Sequence, residues 1–242
     1  LEWKWGVYYA EGGTRSIVNG FEKLFNKKDI EYETCCEVID IDEQNNNIKN
    51  VITNKGTYKC DLVISNADPS YFYQSILKRT PTKIFNKQFM LKHSMGLFVL
   101  YFSTKKQYNE VKHHTIIFNK RHKDLLDDIF DRKIYITDPS LYLHRPAATD
   151  ANNIQHNSDS FYVLAPVANN ESTINWEEKG DEFSNHIINI LSDKILPNLK
   201  ANIIDKFFVT PNYFESDLNS FKGSGFGIRP IFRQSAYFRY SN

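Results

Sequence analysis

Two apolar runs, LFVLYF at Leu97 to Phe102 and FYVLAPV at Phe161 to Val167, constrain this chain more than any other feature. They are rich in aromatic and β-branched residues and far too short to cross a bilayer, so they are predicted to be strands buried in a sheet. His114 to Phe118 and Leu141 to His144 have the same character and are expected to join that sheet. Helical periodicity runs through Lys120 to Phe130 and through Glu178 to Leu196, where Pro197 stops the second helix. The cluster Asp124, Asp127, Asp128 and Asp131 lies opposite Leu125, Leu126, Ile129 and Phe130, and reads as the solvated face of an amphipathic helix.

The stretch before Asn86 has a different texture. After Gly12-Gly13-Thr14, the residues Ile17, Val18, Phe21, Leu24 and Phe25 fall at helical spacing, predicting a turn and then a helix over about 15–27. From IEYETCC to VISNA, short alternating segments are punctuated by an Asn run and by Lys55-Gly56, which predicts a three-stranded meander. Its last strand is expected at Leu62-Val63-Ile64, delivering the loop Ser65 to Pro69. A further helix is expected from Pro69 to about Asn86. The fold class is therefore α/β, a mixed sheet plus helices with an α+β second region.

Composition excludes more than it assigns. The 242 residues are 41% hydrophobic, enough to bury a substantial core, and the net charge of +1 gives no field that would gather nucleic acid. The three cysteines, Cys35, Cys36 and Cys60, form neither a CxxC pair nor a disulfide framework, as suits a reducing cytoplasm. No window approaches 18 apolar residues, and the first residues lack the pattern of a secretory signal. The chain starts without Met and ends at RYSN, so both ends are expected to be cuts through a longer protein.

Gly12-Gly13-Thr14 would let backbone approach a ligand at a helix N-terminus, or serve only as a tight turn. Gly223 to Gly227 (GSGFG) lacks a preceding strand and is followed by Pro230, so it reads as a loop and not as a dinucleotide fingerprint. His113-His114, His122 and His144 suggest a metal at first sight. Neighbouring residues on a strand point to opposite faces, however, and no metal site is assigned.

Several phrases, in order and spacing, carry a family likeness: GVYYAEGGTRSIVNGFEKLF, CEVIDID, VISNADPSYFY, HHTIIF, LLDDIFDRKIYITDPSLYLHRP and FFVTPNYFESDLNSFKGSGFGIRPIFRQSAYFR. Through them essentially the whole chain resembles a segment of the phytoene desaturase family, the bacterial-type carotenoid desaturases. That resemblance implies a segment of a two-domain FAD-binding flavoprotein oxidoreductase. Residues 1–85 would be part of the FAD-binding domain, 86–225 the substrate-binding domain, and 226–242 the return toward the flavin. It implies FAD as cofactor, with Gly12, Gly13 and Thr14 beside it, the backbone of Val38 against the adenine, and Asn66 and Ala67 close by. The implied substrate is a long apolar polyene such as phytoene, with a quinone or oxygen as electron acceptor. The implied location is cytoplasmic and peripheral on a membrane, with no nucleic acid partner.

The family's GxGxxG unit and its C-terminal glycine-rich flavin segment are not among these residues, so the segment alone is expected to be inactive. Where the family more often has an acidic residue, this chain has Arg229. No catalytic residue is assigned. Arg145 is the polar residue placed nearest the pocket, and it is read as half of a structural ion pair. The alternatives are a flavin-dependent carotenoid isomerase and a non-catalytic lipid-binding module.

Overall fold

The computed structural model describes residues 2–45, 47–78, 91–150 and 158–235. A short helix α1 (Glu2–Trp5) precedes α2 (Thr14–Lys27), and then come β1 (Val38–Gln44), β2 (Asn47–Thr53) and β3 (Gly56–Lys59). These strands form an antiparallel meander in the order β1-β2-β3. Helix α2 follows the predicted bounds closely, but its apolar residues stay half exposed and none of its residues is buried.

The third strand of the meander is not where the sequence placed it. Leu62-Val63-Ile64 is extended but belongs to no ladder, and Leu62 and Ile64 are 73% and 89% exposed. An apolar run becomes a strand only when a neighbour supplies main-chain partners, and among the described residues no strand lies beside it. The hairpin at Lys55-Gly56 instead gives β3, whose residues Gly56 to Lys59 pair with Thr53 to Asn50.

Asp68 caps α3 (Pro69–Tyr71), its carboxylate accepting from the Ser70 and Tyr71 amides. The helix continues as a wider π turn only to Ile76. Leu77 and Lys78 already lie outside the helix, Lys78 with φ of +50°, and the rest of the helix expected to Asn86 falls outside the described residues, as does the expected domain boundary at 85.

The second region is built on a five-stranded sheet of β4 (Gly96–Thr104), β5 (His114–Ile117), β6 (Leu141–His144), β7 (Asp159–Val167) and β8 (Ile203–Val209), every pair antiparallel. The order is β5-β6-β7-β4-β8. Four of these strands are those predicted. Between β5 and β6 lies α4 (His122–Asp127), extended by a π turn over Asp128–Arg132. Here Asp128 is not solvated: it is 5% exposed and accepts from Arg132 and Arg121.

Helix α5 (Trp176–Lys194), capped by the Asn175 side chain, covers one face of the sheet. Phe183, Ile187 and Leu191 are fully buried with Phe98 and Leu100 of β4 and Val163 of β7. Gly180 permits the close approach, because a Cβ there would stand 2.5 Å from the Phe208 ring. A short α6 (Leu199–Asn202) leads into β8, and α7 (Pro211–Ser216) follows it.

The segment Gly225 to Arg229 then returns along Lys92 to Met95. The Gly225 amide donates to Met95 O, the Phe226 amide to Ser94 Oγ, the Ser94 amide to Gly227 O, and the Arg229 amide to Lys92 O. GSGFG is thus a loop, as predicted. Arg229 lies 3.9 Å over the Phe130 ring, a cation–π contact that an acidic residue could not make.

Candidate functional site

The face of the sheet away from α5 is only half covered. Alternation along β7 buries Phe161, Val163, Ala165 and Val167 and leaves Tyr162, Leu164 and Pro166 partly exposed. The antiparallel register makes one row of that face aromatic from edge to edge. Phe207 on β8 pairs with Tyr101 on β4, Tyr101 with Tyr162 on β7, Tyr162 with His144 on β6, and His144 with His114 on β5.

The rings follow the pairing. Phe207 stacks on Tyr101 with centroids 4.7 Å apart, Tyr101 is 5.9 Å from Tyr162, Tyr162 is 4.5 Å from His144, and His144 is 5.4 Å from His114. With strands about 4.8 Å apart, the row is roughly 19 Å long. Burial pushes the Tyr101 and Tyr162 hydroxyls above their ordinary pKa, helped at Tyr162 by its Tyr142 neighbour, so both phenols stay neutral. The row contains no Asp, Glu, Lys or Arg. It is a long, narrow strip of π surface, suited to a flat apolar ligand.

The expected site residues fall into separate places. Gly12 and Gly13 form a turn with φ of +79° and +77°, a conformation that favours glycine, and Gly13 caps α2 ahead of Thr14. The Gly12 amide donates to Asp150 Oδ2 at 2.8 Å, so the anion at this turn is the chain's own carboxylate. Tyr9 packs edge-on against His113 at 4.7 Å, which sets the turn beside the β5–β6 end of the aromatic row.

Val38 begins the edge strand β1 and is 37% exposed. Asn66 and Ala67 are exposed, and Ala67 borders a cavity of about 670 Å³ that is also lined by Ile41, Val63, Phe72, Leu77 and Phe226. None of Gly12, Gly13, Thr14, Val38 and Asn66 lines that cavity. Asp68 Oδ2 is shut from solvent without a hydrogen-bond partner among the described residues, 3.3 Å from where a Gly227 Cβ would stand.

Arg145 faces away from the row. It is 3% exposed and donates to Asp159 Oδ2 at 2.7 Å, to Val111 O and to Asn109 Oδ1, which makes it the structural ion pair the sequence suggested. The sequence reading missed Tyr101, Tyr162 and Phe207 as surface-lining residues. The tyrosines inside LFVLYF and FYVLAPV carried the only signal.

His93 joins the first region to the second. Its Nε2 meets Ser70 Oγ at 2.9 Å, and its Nδ1 stands 3.9 Å from Glu171. Burial lowers its pKa from the ordinary 6.5, outweighing Glu171 and Asp68, which raise it; Lys222 and Lys133 add to the lowering. A histidine whose folded pKa is depressed binds a proton more readily when unfolded. Its contribution is therefore complete above about pH 6.5 and is lost as pH falls from there toward the folded pKa. Urea midpoints measured from about pH 7.5 down to about pH 5 are expected to fall, and to fall less steeply in His93→Asn. Equal slopes in the two proteins would remove His93 from this role.

No protein-family model matches the chain. It is 35% identical over 246 residues to the lycopene-forming phytoene desaturase of Pseudescherichia vulneris, an alignment that covers all of this chain and 50% of that protein. The lycopene-forming phytoene desaturase of Pantoea ananas is 33% identical with the same coverage. The zeta-carotene-forming phytoene desaturase of Myxococcus xanthus is 28% identical over 98% of this chain and 46% of its own length. Among solved structures, an oxidoreductase from Methanosarcina mazei matches with a TM-score of 0.54 at 15% identity, over 83% of this chain and 43% of that one, and so shares its fold. The chain spans about half the length of the curated relatives it matches. From end to end the chain is similar to phytoene desaturases over about half of their length, as a segment of such a protein would be.

Proposed function

We propose that this chain is part of an FAD-dependent desaturase that dehydrogenates a long carotenoid precursor such as phytoene, and that the aromatic row is where the polyene lies. The observation that carries the reading is the in-register row Phe207, Tyr101, Tyr162, His144, His114, in a chain whose curated relatives are phytoene desaturases. A polyene has no polar handle, so a strip of rings can align it through dispersion and stacking while excluding water. When bound, the flavin would supply the acceptor for a hydride leaving a saturated carbon as a proton leaves its neighbour.

Gly12, Gly13, Thr14, Val38, Asn66 and Ala67 are the residues proposed to hold FAD. The fit rests on two features, the exposed main chain of the β1 edge and the orphaned Asp68 Oδ2 beside Ala67, whereas Gly12, Gly13 and Thr14 are carried by the family likeness alone because the Gly12 amide is already taken by Asp150. In this reading 1–85 contributes to the cofactor domain, 86–225 to the substrate domain, and 226–242 leads back to the flavin. Among the described residues no helix is long and apolar enough to cross a membrane. Ile116 and Phe118, 60% and 63% exposed, would dip into a bilayer surface from its cytoplasmic side. A quinone or oxygen would reoxidise the cofactor.

The test is a visible spectrum taken after incubation with FAD and phytoene-loaded liposomes, for the chain alone and for the chain joined to its flanking gene sequence. Red-shifted polyene bands are expected from the joined protein only. A product with altered geometry and no added double bond would move the reading to an isomerase, and no product despite bound FAD and an acceptor would overturn both. Tyr101→Ala and Tyr162→Ala are each expected to raise KM for the polyene by about 2- to 12-fold, from the value of one aromatic contact.

A further inference from the structure

Three histidines converge at the β5–β6 end of the row, where neighbouring residues were expected to point apart. His113 lies just before β5, outside the strand whose alternation was applied to it. Its ring stacks on His114 with centroids 4.3 Å apart, and its Nε2 lies 2.8 Å from His144 Nε2. One ring nitrogen from each of His113, His114 and His144 lies within 4.8 Å of the others.

The far side of the cluster is also built. His113 Nδ1 meets Thr149 Oγ1, and His114 Nδ1 meets Tyr142 Oη at 2.6 Å. Partners on the Nδ1 atoms of His113 and His114 orient those two rings, which is how ligating histidines are supported.

We propose that His113, His114 and His144 form a binding site for a divalent transition cation of the zinc class, with a fourth position open to solvent beside the exposed His114. Imidazole donors without a carboxylate suit Zn²⁺, Co²⁺, Ni²⁺ or Cu²⁺ and not Mg²⁺ or Ca²⁺. Bonds of about 2.0 to 2.1 Å in a tetrahedron set the nitrogens roughly 3.4 Å apart, a spacing between the 2.8 Å of the His113–His144 pair and the 4.8 Å that spans the three. His144 Nδ1 is buried without a hydrogen-bond partner among the described residues, so this ring lacks the outer support that the other two have. The site shares His114 and His144 with the end of the aromatic row, but its argument does not rest on the desaturase reading.

The experiment titrates Co²⁺ into the full 242-residue chain after chelator treatment and follows the visible d–d bands. One ion per chain with the intense spectrum of a four-coordinate site, displaced by Zn²⁺, is expected. His144→Ala and the surface variant His114→Ala should each weaken binding by about 100-fold or more, and Thr149→Val by about 10-fold. Because His114 is exposed, its loss leaves the fold in place, which circular dichroism verifies. The weak spectrum of a six-coordinate ion, or an affinity unchanged in His114→Ala, would show that the three rings hydrogen-bond and stack without holding a metal.

Discussion

Replacing Arg145 by Met is expected to cost the chain about 3 to 5 kcal/mol of stability, the typical penalty for stranding a buried partner charge. Asp159 is fully buried, and its Oδ2 accepts both from Arg145 Nε at 2.7 Å and from the Tyr108 amide at 3.1 Å. Without the guanidinium, the carboxylate keeps its desolvation and loses its counter-charge, while Val111 O loses its donor. For a chain of this size the melting temperature should fall by roughly 6 to 20 °C. The double variant Arg145→Met, Asp159→Leu should recover most of that loss, because removing both charges removes the unpaired one. The comparison separates a pair that matters because half of it cannot be left alone from one that is strongly favourable in itself. A single variant melting within about 2 °C of the parent would show that water reaches Asp159 and that the pair is not structurally required.

The sheet was legible in the sequence wherever strand character was local. LFVLYF and FYVLAPV form its middle because their apolar side chains serve both faces, and the adjacent β6 and β5 carry enough alternation to be seen. Strand β8 was not predicted: Asp205-Lys206 interrupts its apolar residues, and it follows α6 without a turn signal. Leu62-Val63-Ile64 misled in the opposite direction, since its apolar character says only that it would be buried beside a neighbour.

The candidate site was much less legible, for a reason of the same kind. The row exists only because Tyr101, Tyr162, Phe207, His144 and His114 share a register across five strands. Register depends on pairings between residues up to about a hundred positions apart, which no local pattern encodes. Gly12-Gly13-Thr14 was legible as a turn because positive φ at two successive glycines is a local property. That its partner is Asp150 was not. The histidine cluster failed on an assumption about position, since His113 sits one residue before the strand whose alternation was applied to it.

The two faces of the sheet should respond oppositely to loss of a ring, and Phe98→Ala is the variant with the second large effect. Phe98 is fully buried, with its ring centroid 4.9 Å from Phe183, 5.0 Å from Phe208 and 5.5 Å from Trp176. It is the ring through which β4, β8 and α5 meet. Truncation removes the transfer free energy of the side chain and leaves a cavity among rigid aromatic neighbours that cannot close over it, so about 3 to 5 kcal/mol is expected to be lost. That corresponds to a drop of roughly 6 to 20 °C in melting temperature. Phe207→Ala removes a ring one residue from Phe208, but Phe207 is 59% exposed on the row side, so its loss leaves no cavity and should change stability by about 0.5 kcal/mol or less. Its effect should appear in polyene binding instead, because it ends the row. A pair of melts in which Phe98→Ala stays within about 2 °C of the parent, or Phe207→Ala falls as far as Phe98→Ala, would mean that core and open face have been assigned to the wrong sides of the sheet.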